Sequence, residues 1–283
     1  MEGYTVTKEA ENVYNIRNNA QCNFFIVEGN NRAAVIDTGV PAGTMDRTDV
    51  DSAVGVRIMP IIRSLTQKPL ILVITHLHVD HMYHMDEFDE IYMSHKELAL
   101  PEEICRFMSP GKELDYSGVN DIRTGDVLDL GGSHLEICEL AGHSPGSVIV
   151  LDRENDLLFT GDAIGNGTGV FMQVMTSESL SVYYESLCSA LKWLIDRGGR
   201  MRFLGGHVEH QANSLALPGW NPLGIGMMAD MIELVGRVLQ GEIQGNPYCR
   251  YTKIPPMPED VLYASYGRAE LLYKKESLHS ALY

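Results

Sequence analysis

The sequence predicts an α/β protein in which two packed sheets are covered by helices, a four-layer αβ/βα sandwich. The chain has 283 residues, 45% of them hydrophobic, which is enough to bury a large core. Short β-rich runs occur in two series, and each series continues with a helix and one further strand. Helices on the outer faces of two sheets would cover such strands.

The first series predicts strands at residues 13–17, 22–28 and 32–37, a helix near 52–67 and a strand at 70–74. This last run is continuously apolar, as in strands that are buried on both faces. The second series predicts strands at 126–130, 133–140, 147–151 and 157–160, a helix near 178–197 and a strand at 202–204. We expect one domain over residues 1–283. Its C-terminal extension, from about residue 248, either closes the domain or forms a subunit contact in a homo-oligomer.

Charge and hydropathy exclude several classes of partner. The net charge of −16 argues against a nucleic-acid partner, because neutralising phosphates needs clustered positive charge. No apolar stretch reaches the length that spans a bilayer, so no membrane partner is expected. The first residues lack a basic segment followed by an apolar one, which predicts a cytoplasmic protein. We expect its partner to be a small-molecule substrate.

The cysteines are widely scattered and form no CxxC pair. This spacing predicts neither a disulfide framework nor a thiolate zinc site. We expect most of them to be small buried hydrophobic residues. The five are Cys22, Cys105, Cys138, Cys188 and Cys249.

A dense group of metal-binding residue types follows the predicted strand at 70–74: His76, His78, Asp80 and His81. Residues two apart in an extended segment point the same way, so His76 and His78 can face one cation. Asp80 and His81 follow the turn and can face a second. A single histidine is more often structural. Concentrating four such side chains beside a buried strand is costly unless a cation is bound, so the group predicts a metal site.

Three further polar residues each follow a predicted strand and are each preceded directly by a glycine: His143, Asp162 and His207. Glycine lets the backbone turn sharply and bring a ligand close to a cation. Each of the three taken singly could be an ordinary turn residue. Together with the histidine group they make a set of seven candidate ligands.

This set resembles the metal ligands of the metallo-β-lactamase fold hydrolases, over roughly residues 22–207. Their HxHxDH signature matches residues 76–81, and their later ligands match the other three in order. The resemblance implies the four-layer fold and a dinuclear centre. One metal would be held by His76, His78 and His143 and the other by Asp80, His81 and His207, with Asp162 bridging both.

Nitrogen and oxygen ligands suit two Zn²⁺ ions, although manganese or iron would also fit. Such a pair traps a bridging hydroxide that attacks an electrophilic carbonyl or phosphoryl centre. Asp80 is the predicted catalytic residue, because it would orient the hydroxide and later move a proton. The resemblance also implies that Asp37 supports the metal loop without touching the metal itself.

Departures from the family pattern narrow the range of substrates that we expect. Zinc β-lactamases carry cysteine or serine in place of Asp162, and flavodiiron reductases carry glutamate in place of His78. The pattern is therefore similar to glyoxalase II, the lactonases, or the nuclease and phosphodiesterase branches. We expect hydrolysis of a small ester, thioester or lactone. The alternatives are a phosphodiester hydrolase and a non-hydrolytic metal-binding redox or sensor protein.

Residues 165–176 mix glycines with apolar side chains just after Asp162. They form either a lid over an apolar pocket, in which Phe171 and Met172 would contact substrate, or a surface loop whose apolar side chains pack inward. His210 either contacts substrate or supports a metal ligand.

Overall fold

Two large β-sheets stand at the centre of the computed structural model, which describes residues 3–41, 55–108, 115–165, 169–207, 223–247 and 260–283. The first sheet has seven strands that pair in chain order. The pairs from β1 to β4 are antiparallel, and those from β4 to β7 are parallel. Its strands are β1 (Tyr4–Ala10), β2 (Val13–Asn18), β3 (Asn23–Glu28), β4 (Ala33–Ile36), β5 (Leu70–Val73), β6 (Ile91–Met93) and β7 (Val119–Asp121).

The second sheet has five strands, in the spatial order β13-β11-β10-β9-β8. Its single parallel pair joins β11 to β13, because the chain crosses over through a helix between them. The strands are β8 (Val127–Asp129), β9 (His134–Glu139), β10 (Val148–Asp152), β11 (Leu157–Gly161) and β13 (Arg202–Gly205).

The inner faces of the two sheets form one hydrophobic core. Phe25, Ile36 and Val73 of the first sheet share a buried cluster with Val150 and Phe159 of the second. The rings of Phe25 and Phe159 lie 4.9 Å apart, centroid to centroid. Burying each such side chain stabilises the fold by about 1.5–3 kcal/mol, so this face holds the two sheets together.

Helices cover both outer faces, which confirms the predicted four-layer sandwich. α1 (Met59–Leu65), α2 (Val79–Met82) and α3 (Glu102–Met108) contribute buried residues to the cluster on the first sheet. α4 (Leu180–Ile195) and α5 (Ile225–Leu239) cover the second sheet. Among the described residues, no helix is both long and apolar enough to cross a membrane. Short 3₁₀ helices occur at Met85–Glu87, Glu97–Ala99 and Lys275–Leu278.

A third, four-stranded sheet joins the C-terminal extension to the rest of the molecule. It contains β12 (Val170–Met172), β14 (Asn246–Pro247), β15 (Val261–Tyr266) and β16 (Ala269–Lys274), in the order β12-β16-β15-β14. β16 pairs in parallel with β12, so the extension contacts the segment that follows Asp162. Most of its buried side chains belong to the same cluster as those of α4 and α5.

The strands predicted in both series are present, and their bounds agree to within a few residues. The predicted helix at 52–67 is shorter, with α1 limited to Met59–Leu65, and residues 52–54 lie outside the described part. β6 and β7 have three residues each, too few to show a periodic pattern. β12 lies inside the segment that the sequence predicted to be a loop.

Ser179 caps α4, because its side-chain oxygen accepts a hydrogen bond from the Val182 N–H at 3.2 Å. We expect Ser179→Ala to lower the free energy of unfolding by about 1 kcal/mol, since it leaves a helix N–H without its partner. Urea denaturation measures the change. Ser189→Ala, at an exposed position within the same helix, is the matched control and should not destabilise the protein. Equal stabilities for the two variants would contradict the capping role.

Candidate metal centre

The predicted ligands lie at one edge of the two sheets, where several strands end. β4 and β5 are parallel, and so are β11 and β13. β9 runs in the same direction as β11, because both are antiparallel to β10. The segment 76–81 follows β5, His143 follows β9, Asp162 follows β11 and His207 follows β13. Residues distant in the chain therefore meet at this edge.

Three histidines form one buried group within the cluster. The ligand atoms of His76, His78 and His143 all lie within 4.8 Å of one another, and His78 Nδ1 is 2.9 Å from His143 Nε2. The Nε2 atom of His76 is buried and makes no hydrogen bond. Burial, followed by the neighbouring imidazoles, lowers the pKa of His76 and His78 well below the usual value. Neutral rings whose nitrogens converge in this way suit a cation.

Asp162 lies between this group and the remaining predicted ligands. Its Oδ1 is 3.5 Å from His81 Nε2, and its Oδ2 is 3.5 Å from His207 Nε2 and 3.8 Å from His143 Nε2. Asp80 completes the cluster, because its Oδ2 is 3.4 Å from His207 Nε2. These contacts bring all seven predicted ligands together.

The electrostatics of the cluster favour positive charge. Burial opposes protonation of His81, yet the carboxylates of Asp37 and Asp162 raise its pKa well above the usual value. Against the same burial, Asp162 and then Cys22 raise the pKa of His207. The pKa of Asp162 is held well below its ordinary value, because His207 and His81 outweigh the effect of burial. A divalent cation could replace these protons among the same carboxylates.

The histidine rings are oriented by hydrogen bonds at the nitrogens that point away from the cluster. His81 Nδ1 donates to Asp37 Oδ2 at 2.8 Å, and His143 Nδ1 donates to the Phe171 carbonyl at 2.8 Å. His78 Nε2 is 2.8 Å from the Thr176 hydroxyl oxygen. In each ring the other nitrogen is left facing the cluster. Partners of this kind select the tautomer and orientation of a metal-binding imidazole.

Asp37, which the sequence predicted to support the metal loop, contacts that loop through His81 and Thr75. Beyond its bond to His81, its two oxygens accept hydrogen bonds from the N–H and the hydroxyl of Thr75, both at 2.8 Å. Its backbone has φ of 59°, a left-handed conformation that aspartate tolerates better than most residues. The carboxylate thereby ties the end of β4 to the loop that follows β5.

Glu97, which the sequence analysis did not single out, connects two of the ligand loops. Its carboxylate is fully buried and accepts hydrogen bonds from the Leu77 N–H at 3.2 Å, the Gly146 N–H at 2.8 Å and the Ser144 hydroxyl. Leu77 lies between His76 and His78, and Ser144 follows His143. Burial raises the pKa of Glu97 to about 7, although these three donors act in the opposite direction.

Gly206 shows how closely the backbone approaches the ligands. A Cβ atom at this position would lie 2.6 Å from His81 Cε1 and 2.9 Å from Asp162 Oδ1. Any larger residue would displace one of these side chains. A steric requirement therefore explains why a glycine precedes His207, in addition to the backbone flexibility that the sequence predicted.

The residues predicted to contact substrate lie in different environments. Phe171 is half-buried, and its carbonyl holds His143. Met172 is fully buried in the cluster beneath α4 and α5, so its side chain packs inward. His210 lies outside the described residues. The more exposed side of the cluster is formed by Asp80 and His207, whose side chains are 26% and 14% exposed.

We expect Asp37→Asn to weaken metal binding by roughly 10- to 100-fold, because the amide cannot accept from both His81 and Thr75 as the carboxylate does. Competition with a chromogenic chelator measures the affinity. Asp156→Asn is the matched control, since Asp156 also has a positive φ, of 50°, but lies at an exposed turn. Identical affinities for the Asp37 variant and the wild type would contradict the supporting role.

Glu97 predicts a pH dependence of stability. Its folded-state pKa of about 7 lies above the ordinary value of 4.5, so the folded protein holds a proton that the unfolded chain releases first. The Glu97 carboxyl therefore adds up to ~3 kcal/mol to the free energy of unfolding of the wild type. This contribution is complete below pH 4.5 and is lost as the pH rises through 7.

Glu97→Gln cannot ionise and should lack this loss. The difference in free energy of unfolding between wild type and variant should therefore decrease from pH 5 to pH 8, as measured by denaturant titration. Glu103→Gln, on the exposed surface of α3, is the control and should show a constant difference. A constant difference for Glu97→Gln as well would argue against a buried ionisation.

The curated proteins that are similar to part of this chain include named hydrolases. The acyl-coenzyme A thioesterase MBLAC2 of Gallus gallus is 30% identical in an alignment of 209 residues that covers 67% of this chain and 73% of that protein. The hydroxyacylglutathione hydrolase GloC of Haemophilus influenzae is 31% identical in an alignment of 121 residues that covers 39% of this chain and 57% of that protein.

Solved structures share the fold at low sequence identity. The metallo-beta-lactamase from Pontibacter korlensis has a TM-score of 0.57 and 16% identity, covering 82% of this chain and 99% of that chain. The metallo-beta-lactamase FIM-1 from Pseudomonas aeruginosa has a TM-score of 0.57 and 14% identity, covering 83% and 96%. Residues 17–207 match the family model described as the metallo-beta-lactamase superfamily. Since that match includes more than half of the chain and all seven clustered residues, the protein belongs to the metallo-beta-lactamase superfamily and is one of its metal-dependent hydrolases.

Proposed function

We propose that this protein is a dinuclear zinc hydrolase of small thioesters, within the wider class of esters, thioesters and lactones. The observation that carries the proposal is the buried cluster of five histidines and two aspartates. Asp162 lies between the two groups of candidate ligands, at 3.5–3.8 Å from nitrogens on both sides. A carboxylate in this position suits a bridge between two ions.

The choice of thioesters rests on the relatives. One similar protein is named as a thioesterase of acyl-coenzyme A and another as a hydrolase of hydroxyacylglutathione. Coenzyme A and glutathione both carry acyl groups through sulfur, so a thioester is the bond that the two names share. The solved structures named as metallo-beta-lactamases support only the fold, because their sequence identity is low.

Zinc is favoured because the cluster offers imidazole nitrogens and carboxylate oxygens on rigid strand ends. When bound, two zinc ions would supply a hydroxide nucleophile at neutral pH and polarise the acyl carbonyl. The hydrogen bonds that three of the histidines make to Asp37, the Phe171 carbonyl and the Thr176 hydroxyl would hold these rings in position throughout turnover.

Asp80 is the residue best placed to handle protons. Its side chain is more exposed than that of Asp162, the other carboxylate of the cluster, and only one of its oxygens faces His207. In the proposed reaction Asp80 accepts the proton of the attacking water. The carbon–sulfur bond breaks, and the same proton passes to the departing thiolate, which yields a carboxylic acid and a thiol. The exposed side formed by Asp80 and His207 is where the acyl group would approach.

A substrate panel tests the proposal. Protein restored with zinc, or separately with manganese or iron, is assayed against short- and long-chain acyl-coenzyme A, a hydroxyacylglutathione, an aryl ester, a lactone, a β-lactam and bis(p-nitrophenyl) phosphate. We expect the highest kcat/KM on a thioester, in step with the metal content. Turnover of the phosphodiester alone would make this protein a phosphodiesterase. Full metal occupancy without turnover of any substrate would support a binding or sensor role.

Asp80→Asn should lower kcat by roughly 10²- to 10⁴-fold, because the amide cannot accept the proton. Metal content and thermal stability are measured on the same sample, so that loss of metal is separated from loss of proton transfer. Asp129→Asn, at an exposed site on β8, is the control and should keep wild-type kcat. Unchanged turnover in the Asp80 variant would exclude the proposed role.

A further inference from the structure

Cys22 lies beside the more exposed side of the candidate metal centre. It precedes β3 and forms an isolated antiparallel bridge with His207. Residues directly opposite each other in such a bridge point to the same side, which brings their side chains close. The sulfur of Cys22 and one ligand atom each of Asp80 and His207 all lie within 4.8 Å of one another.

The backbone around Cys22 is held tightly. Its N–H donates to Asn18 Oδ1 at 3.0 Å, and its carbonyl accepts from the Asn18 N–H at 3.1 Å. The next residue, Asn23, donates from its backbone N–H to the Gly206 carbonyl at 2.7 Å and from its side chain to the Gly205 carbonyl at 3.0 Å. The cysteine is therefore fixed to the loop that carries His207, and does not depend on a mobile segment for its position.

The sequence predicted that Cys22 would be a small buried hydrophobic residue, and part of its environment agrees. Its side chain is 3% exposed and shares a small apolar cluster with Val40, Val79 and Tyr83. Packing alone does not explain why the sulfur is turned toward a carboxylate and an imidazole. Its contact with the Ala20 carbonyl, at 3.9 Å, is long even for a thiol.

A second observation indicates a ligand at this centre. His76 Nε2 is buried and makes no hydrogen bond, although buried polar atoms nearly always do. His81 Nε2 and Asp162 Oδ1 are also buried without a hydrogen bond, and they face each other at 3.5 Å as an ion pair. The two histidines are less than 2% exposed. The ligand atoms of His81, His76 and Asp162 lie within 4.8 Å of one another, and Cys22 supplies the third such atom beside those of Asp80 and His207.

We propose that the thiolate of Cys22 is a ligand of the metal ion held by Asp80 and His207. This deepens the proposed function and rests on the metal centre that it assumes. As the metal–sulfur bond forms, the thiol loses its proton to solvent, so no oxidant or reductant is required. Thiolate is a soft ligand, which favours zinc over manganese at this position and adds an eighth donor to the seven predicted from the sequence.

Cobalt substitution tests the assignment, because a thiolate bound to Co(II) produces a near-ultraviolet sulfur-to-metal charge-transfer band. The test uses the full chain loaded with cobalt as wild type, Cys22→Ser, Cys22→Ala and Cys138→Ser. Cys138 is the matched control, since it is equally buried but lies on β9, away from the clustered ligand atoms. We expect the band in wild type and in the Cys138 variant, and its loss in both Cys22 variants.

The variants should also bind the metal less tightly. Loss of a residue that only hydrogen-bonds to a metal ligand lowers the metal affinity by roughly 10- to 100-fold. Cys22→Ser should lower the affinity for one of the two zinc ions by more than this, because it removes a ligand. Zinc-edge X-ray absorption of the wild type should show a sulfur neighbour at about 2.3 Å. This measurement needs no variant, so it decides the question even if the substitutions prevent folding.

Absence of the sulfur neighbour from zinc-loaded wild type would overturn the proposal, as would a charge-transfer band that persists in Cys22→Ser. Neither readout depends on turnover. A protein that binds zinc through Cys22 but hydrolyses no thioester would contradict the proposed substrate and leave the ligand assignment intact. A protein that hydrolyses thioesters but has no metal–sulfur bond would contradict the ligand assignment and leave the proposed substrate intact.

Discussion

The close approach of five imidazoles and two carboxylates at the shared edge of two sheets is the interaction on which the rest of the site depends. Removing such groups from water is costly unless each gains a partner. Hydrogen bonds to Asp37, the Phe171 carbonyl and the Thr176 hydroxyl satisfy the outer ring nitrogens, whereas inner atoms such as His76 Nε2 make none. A bound cation would compensate these inner atoms, so folding and metal binding are expected to stabilise each other.

The surrounding structure keeps the ligand loops at fixed separations. The core between the sheets positions the strand ends, Asp37 ties β4 to the loop after β5, and Glu97 ties that loop to the one after β9. Gly206 allows the last loop to approach within a distance that no side chain would permit. Asp80 and His207 remain partly exposed, so the side of the centre that they form faces solvent while the other ligands are buried.

Much of the architecture could be predicted because its signals are local. A continuous apolar run identified β5, and the predicted ligands lie in segments that follow strands. The three-residue strands β6 and β7 carried too little pattern, and β12 is a strand only because β16 of the C-terminal extension pairs with it. Pairing between distant segments depends on tertiary packing, which overrides local propensity.

The sequence alone determined the four-layer fold and the seven candidate ligands, since spacing within short segments is enough to recognise both. Only the tertiary structure placed Glu97 between two ligand loops and Cys22 beside Asp80 and His207. Neither residue belongs to a motif, and Phe171 acts through a carbonyl that every residue possesses. Such roles arise from contacts between residues far apart in the chain, and these contacts exist only after the sheets have packed.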